Sequence, residues 1–232
     1  RGKYSDYRPA RVTTAILTYV PSLEGYFSER LEVLKLVFAS LKKHTALAAD
    51  VLVFDNGSCP QALDFLESLK AAGEIDFLLQ SRQHIGKIGA LKILFEAAPG
   101  EIIAYNDDDI LFYPGWLEAS LAVLDSFPQV GMVSTDPVRN ANAYARQSLD
   151  RLIANPPAGI TCQQERRIPD AWEIDWALST GRNPEQHLKD TQAWLDVVLK
   201  LERPLGTLEA FGGSNHYQII ARKDVILKAM PN

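Results

Sequence analysis

Residues 101–116 read EIIAYNDDDILFYPGW. An apolar run beginning at Ile102 gives way to Asn106 and three consecutive aspartates, Asp107, Asp108 and Asp109; Pro114 and Gly115 then lead into the helical stretch GWLEASLAVLDSF. A short, continuously apolar run bounded by turn residues reads as a strand buried on both faces. Three adjacent carboxylates repel one another, so their charge has to be offset by solvation, by protonation or by a cation. A divalent metal is the sharpest of these explanations.

The same unit of strand, polar loop and helix recurs upstream. RVTTAILTYV (residues 11–20) is rich in β-branched residues and stops at PSLEG, a turn. From Ser28 to His44 the apolar positions Leu31, Leu34, Phe38 and Leu41 keep helical spacing, with Ser28 placed to cap the start. DVLVFDNGSCP repeats the pattern, with a strand over Val51–Phe54, a polar loop at Asp55-Asn56-Gly57-Ser58 and a helix from Gln61 to Leu69. IDFLLQ followed by SRQHIGKIGALKILFEAA is the third unit, EIIAY with its helix the fourth, and VGMVST (residues 130–135) a fifth strand. Apolar strands alternating with helices predict an α/β sandwich whose mainly parallel central sheet is covered by helices on both faces.

Beyond Asp136 the rhythm fails. Residues 137–183 are rich in Pro, Asn, Gln and Arg, and periodicity returns only in PEQHLKDTQAWLDVVLKL, read as one helix. FGGSNHYQIIARKDVILKAM then reads as a glycine turn, a short strand and a final helix. The expected organisation is a single domain in two halves, residues 1–136 and residues 137–232.

Composition narrows the function. The chain has 232 residues, 47% of them hydrophobic, enough for one full-sized core. Its 24 Lys+Arg are scattered against 29 Asp+Glu, for a net charge of −5, which argues against nucleic acid as a partner. The two cysteines, Cys59 and Cys162, have no metal-ligand spacing and suit a reducing cytoplasm, although they are able to pair. No apolar run approaches the roughly 20 residues of a membrane span. A cytoplasmic protein, with or without peripheral membrane association, is the expectation. The chain begins at Arg1 rather than Met, as a fragment or processed form would.

In open parallel sheets, ligands sit outside the carboxyl ends of the strands. That rule gathers Thr18-Tyr19, Asp55-Asn56-Gly57, His84 to Gly89 and Asn106 to Asp109 into one candidate site. Asp107 and Asp109 are hard oxygen donors suited to a divalent ion that also takes phosphate oxygens. An EF-hand does not fit, because its fifth position would be Leu111 with no glycine following. Lys87, between Gly86 and Gly89, offers an ammonium for phosphate, although GKIG is neither a Walker loop nor a dinucleotide fingerprint.

The order LTYVPSLEGY, VFDNGS, HIGKIGAL and YNDDDILFYPGWLE resembles the nucleotide-binding half of family 2 glycosyltransferases of the GT-A fold, over roughly residues 11–135. The resemblance implies a nucleotide-diphosphate sugar donor, a UDP-sugar favoured, and Mn²⁺ or Mg²⁺ held by Asp107 and Asp109 against the diphosphate. It implies further that Asp55 accepts from a base N–H, that Thr18 and Tyr19 surround that base, and that Asn56, Lys87, Asn106 and Asp108 complete the nucleotide site. The acceptor, a hydroxyl of a glycan, lipid or small molecule, falls to the second half. FGGSNHYQIIARKDVI resembles the family's acceptor loop, but the acidic pair that usually follows and supplies the general base is missing, since the chain stops at Pro231-Asn232. Either the base lies in residues beyond Asn232 or another carboxylate serves; Glu209 is the substitute candidate for inverting transfer, with Glu173 and Asp175 of WEIDW next. By analogy with retaining members of the wider fold class, His216 is a candidate third metal ligand. Trp172, Trp176 and Trp194 are either an acceptor platform or core. Two other functions stay open: a nucleotidyltransferase that makes sugar nucleotides, although TYVPSLEGYFSER lacks its glycine-rich loop, and a non-catalytic sugar-nucleotide or glycan-binding module.

Overall fold

Seven consecutive residues, VTTAILT, are buried over their whole length and form strand β1 (Val12–Thr18), as only a strand covered on both sides can. The computed structural model describes residues 6–137, 139 and 146–231. After β1 come a 3₁₀ turn (Gly25–Phe27), α1 (Arg30–His44), β2 (Ala49–Asp55), α2 (Pro60–Ala71), β3 (Phe77–Gln80), α3 (Lys87–Ala97), β4 (Ile102–Asp107) and α4 (Trp116–Ser126). Then follow the two-residue strand β5 (Met132–Val133), α5 (Arg146–Ala154), β6 (Ile160–Glu165), α6 (Asp170–Ser179), α7 (Pro184–Asp190), β7 (Asp196–Arg203), β8 (Gly206–Phe211), β9 (Gln218–Arg222) and α8 (Lys223–Ala229). The chain divides into two compact units, Arg1–Leu121 with Tyr217–Asn232, and Ala122–His216.

In the first unit the strands lie in the order β3-β2-β1-β4-β9. The pairs among β1 to β4 are all parallel, and β9 runs antiparallel to β4. On one face Ala15, Leu17, Leu52, Phe54, Ile103 and Tyr105 pack against Ala90, Leu94 and Phe95 of α3 and Ile226 of α8. The opposite face carries α1, whose Phe38 and Leu41 line a cavity together with Thr14 and Val51. A mainly parallel sheet flanked by helices on both faces is the architecture that the apolar runs predict. Each fully buried Leu, Ile or Phe in these layers is worth about 1.5–3 kcal/mol.

Two local readings need correction. Ser28 does not cap α1: the helix starts at Arg30, and the Ser28 N–H closes the preceding 3₁₀ turn on the Gly25 carbonyl. PEQHLKDTQAWLDVVLKL is not one helix but a short helix, a turn and β7. Val197 and Val198 are β-branched and buried, and β7 has antiparallel partners on both sides, β6 and β8, so a full ladder outweighs the helical spacing of the leucines. The Pro- and Arg-rich run also holds regular structure, namely α5, β6 and α6. Among the described residues no helix is long and apolar enough to cross a membrane, and both cysteines are free thiols.

Candidate functional site

Parallel register decides which residues share an edge. Thr18 stands opposite Asp55 and Leu17 opposite Asp107, so β1, β2 and β4 end level and their loops leave from one edge of the first unit. The first two loops are laced together: Asn56 N–H donates to the Thr18 carbonyl at 2.9 Å, Val20 N–H to Ser58 Oγ at 2.9 Å, and Cys59 N–H to the Val20 carbonyl at 2.8 Å. Asp55 is buried, and both its oxygens accept from the Ser58 N–H at 3.3 Å. Beside it, the Thr18 hydroxyl is buried without any hydrogen-bond partner. A polar atom left unpaired inside a protein costs free energy that a ligand at this edge would recover.

Asn56 braces rather than reaches outward, because its Oδ1 accepts from the Ile85 N–H at 3.0 Å and so ties the β2 loop to the β3 loop. Gly57 has φ +86°, and a Cβ there would lie 2.9 Å from the backbone of Gln83 and His84. Only glycine lets the two loops approach this closely. The Tyr19 and His84 rings meet across the gap with centroids 4.3 Å apart.

The acidic run is offset by the chain's own cations. Lys87 Nζ contacts both oxygens of Asp107, at 2.8 and 2.9 Å, and the Tyr105 hydroxyl donates to the same carboxylate. Burial, with Asp107 close by, pushes the Tyr105 phenol far up, which keeps it a donor. Arg30 reaches Asp108 at 2.5 Å and Asp109 at 3.3 Å. Asp108 is buried and also accepts from the Tyr19 N–H at 3.1 Å. Burial raises its pKa above the usual carboxylate range despite Arg30 and that amide. For Arg30, burial pulls the guanidinium pKa down, but Asp108 and Asp109 outweigh it and leave it raised. Asp109 is the open member, its side chain 54% exposed.

Thr18, Tyr19, Asp55, Asn56, Lys87, Asp107, Asp108 and Asp109 are therefore gathered as the sequence suggests. Asn106 is at the same strand end with its side chain committed elsewhere, donating to the Ala104 carbonyl at 3.0 Å and accepting from Gln218 at 2.8 Å. Arg30 and Tyr105 belong to the constellation without having been singled out. The strand period of two offers a signal for Tyr105, which shares a face with Asp107. For Arg30 the only signal is a cation on the first residue of a helix, where the macrodipole disfavours it unless an anion lies near.

Glu209 and His216 belong to the second unit. Glu209 is exposed on β8, paired with Arg167 at 2.9 Å and Lys200 at 3.3 Å; the hydrogen bond from Lys200, with Arg167 adding to it, holds its carboxyl below the usual range. Glu173 is buried in α6 and bonded to His187 at 2.6 Å, while Asp175 is exposed. Trp172 is exposed, and Trp176 has Arg182 over its ring at 4.7 Å. Among the described residues no group of three or more His, Cys, Asp or Glu side chains is arranged to hold a metal. Asp107 and Asp109 by themselves suit a cation that draws its other oxygens from a diphosphate, since such ions are commonly held by one or two carboxylates plus phosphates.

The family model described as glycosyl transferase family 2 matches residues 26–169. Among solved structures the chain is similar to the mannosyltransferase PcManGT from Pyrobaculum calidifontis in complex with GDP-Man and Mn²⁺, at 23% identity and TM-score 0.45, over 56% of this chain and 36% of that one. It is also similar to S. aureus TarS 1-349 in complex with UDP-GlcNAc, at 19% identity and TM-score 0.40, over 50% of this chain and 31% of that one. A third similarity is to GalNAc-T7 with UDP, GalNAc and Mn²⁺, at 19% identity and TM-score 0.41, over 51% and 22% respectively. The chain thus covers about a third or less of the length of each of these structures. No curated protein matches it.

Proposed function

The chain belongs to glycosyl transferase family 2, and from that premise we propose that it transfers a sugar from a nucleotide-diphosphate donor, with UDP-sugars favoured, to a hydroxyl acceptor with inversion at the anomeric carbon. The observation that carries the reading is the level ending of β1, β2 and β4, which puts the unpaired Thr18 hydroxyl, Asp55 and the Asp107–Asp109 run on one edge. Asp55 is an acceptor-only carboxylate and takes an N–H from the base, as uracil provides. Tyr19, backed by His84, offers a ring for that base to stack on.

Asp107 and Asp109 are the residues that would hold Mn²⁺ or Mg²⁺. When bound there, such an ion offsets charge on the departing diphosphate. Lys87 sits at the same edge with its ammonium on Asp107 and contacts phosphate as a point charge. On the acceptor side we assign the base to Glu209, which Lys200 and Arg167 keep ionised. It takes the hydroxyl proton while the acceptor oxygen bonds to the anomeric carbon. The bond from that carbon to the diphosphate breaks with its electron pair leaving on phosphate.

The test is a calorimetric titration with UDP-, GDP- and dTDP-sugars, with and without Mn²⁺, beside an assay that separates sugar transfer from sugar-nucleotide synthesis. Asp109→Ala is expected to lower Mn²⁺-dependent nucleotide affinity by about tenfold or more while leaving the fold intact. Unchanged affinity in that variant removes the metal assignment. Synthesis without transfer replaces the reaction.

A further inference from the structure

Two cations stand where helix electrostatics would not put them. Arg30 is the first residue of α1 and Lys87 the first of α3, and the N-terminal turn of a helix favours negative charge. Each is held there by the acidic run, and the two approach it from opposite faces of the sheet. Lys87 is 48% exposed and grips Asp107 through two contacts. Arg30, only 18% exposed, holds buried Asp108 closely and open Asp109 loosely, at 2.5 and 3.3 Å.

The two carboxylates suited to a divalent ion are thus already engaged, and a metal there competes with the Lys87 ammonium for both oxygens of Asp107 and with the Arg30 guanidinium for one oxygen of Asp109. The displaced groups are well suited to receive phosphate oxygens, since Lys binds phosphate as a point charge and Arg through a planar fork. We propose that Arg30 and Lys87 are internal counter-ions that exchange Asp109 and Asp107 for the diphosphate when the metal enters, so that metal and diphosphate each bind weakly alone and favour one another. This rests on the reading of the edge as a metal–diphosphate site. Arg30 keeps Asp108 throughout, because that carboxylate is buried and also fixed by the Tyr19 N–H. The unpaired, buried Thr18 hydroxyl at the same edge is independent of these ion pairs and leaves a further hydrogen-bonding group unused there.

The proposal makes opposite predictions for the two partners. Mn²⁺ binding to the free chain is followed by electron paramagnetic resonance, and pyrophosphate binding without metal by calorimetry. In Arg30→Gln and in Lys87→Gln, Mn²⁺ alone should bind about fivefold more tightly or better, while pyrophosphate alone should bind more weakly by a similar factor, the size of an ordinary coupling between sites. Lys35→Gln, the same charge change elsewhere on α1, should alter neither. A merely structural role would weaken both ligands together, and near-ultraviolet circular dichroism checks the fold of each variant. If the unaltered chain binds both ligands and Mn²⁺ affinity stays unchanged or falls in the two variants, the exchange is wrong although the site stands. If the unaltered chain binds neither ligand even when Mn²⁺ and pyrophosphate are supplied together, the reading of the edge itself falls, and the exchange with it.

Discussion

Charges are concentrated in two places in this protein, and the two are built differently. At the strand edge of the first unit, Asp107, Asp108 and Asp109 meet long side chains from two helix starts through one or two contacts each, and Asp109 is half open to solvent. In the second unit Arg139 and Asp196 are sealed, at 0% and 1% side-chain exposure. Arg139 Nε donates to Asp196 at 2.9 Å and its Nη2 to the Ile168 carbonyl at 2.6 Å, while Asp196 also accepts from the Arg167 and Ile168 N–H groups at 2.7 and 2.8 Å. The Arg139 N–H donates to Glu173, whose other oxygen meets His187. The same kinds of ions serve two purposes. A charge with many buried partners fixes a fold, because nothing nearby can replace those partners. A charge with few partners at a wet rim can exchange them for a ligand.

The widest test of this contrast removes one carboxylate from each place. Asp196→Ala takes an acceptor from four donors, Arg139 Nε and Nη2 and the Arg167 and Ile168 N–H groups, and leaves the Arg139 guanidinium buried without its main counter-ion, which should destabilise the second unit by about 3–5 kcal/mol. Asp109→Ala should leave denaturant stability within about 0.5 kcal/mol, as a rim substitution does. Urea unfolding of the two variants side by side measures both. Similar losses in the two would erase the distinction between fixed and exchangeable charge.

A smaller effect sharpens the comparison by separating charge from backbone at the rim. Gly57→Ala keeps every ion pair, yet it asks an L-residue to hold φ +86° and drives a methyl against the backbone of Gln83 and His84. Strain of about 1–3 kcal/mol is expected. It should appear as a lower melting temperature and as weaker nucleotide binding once the Tyr19–His84 contact is disturbed. A variant with unaltered melting and affinity would mean that the β2 and β3 loops need not touch.

The sequence exposes one of these two regions far better than the other, and the reason is physical. β1, β2 and β4 are covered on both faces, so each is a largely buried run of apolar and β-branched residues that ends at polar ones. Those stops are the candidate site, and for that reason Thr18, Asp55 and Asp107 can be read directly. Arg30 lies 78 positions before Asp108 on another element, and no local pattern links them. β7 is obscured for another reason: LDVVLKL satisfies helical spacing as well as strand alternation, and only the partners β6 and β8 decide between them. Arg139 is hidden in a run rich in Pro, Asn and Arg that reads as a solvated loop, whereas its burial depends on Asp196, 57 residues further on.

The smallest effect falls on Glu209, which joins the two themes, being an exposed charge in the second unit that also has a proposed chemical role. It stands opposite Lys200 in the β7–β8 ladder and also pairs with Arg167. The hydrogen bond from Lys200, opposed by a smaller desolvation effect and aided by Arg167, lowers its pKa relative to an ordinary glutamate. A carboxyl whose pKa is lower in the folded chain contributes stability above its unfolded pKa and loses it as the pH falls through the folded value. Glu209→Gln should therefore melt about 1 °C lower at neutral pH, because exposed pairs contribute little. The difference from the unaltered chain should close on acidification below the carboxylate range. A gap that persisted in acid would mean that the loss comes from packing and not from charge. The same variant tests the proposed base: with so small a change in stability, a large fall in turnover at unchanged donor affinity would mark Glu209 as the proton acceptor, and normal turnover would exclude it.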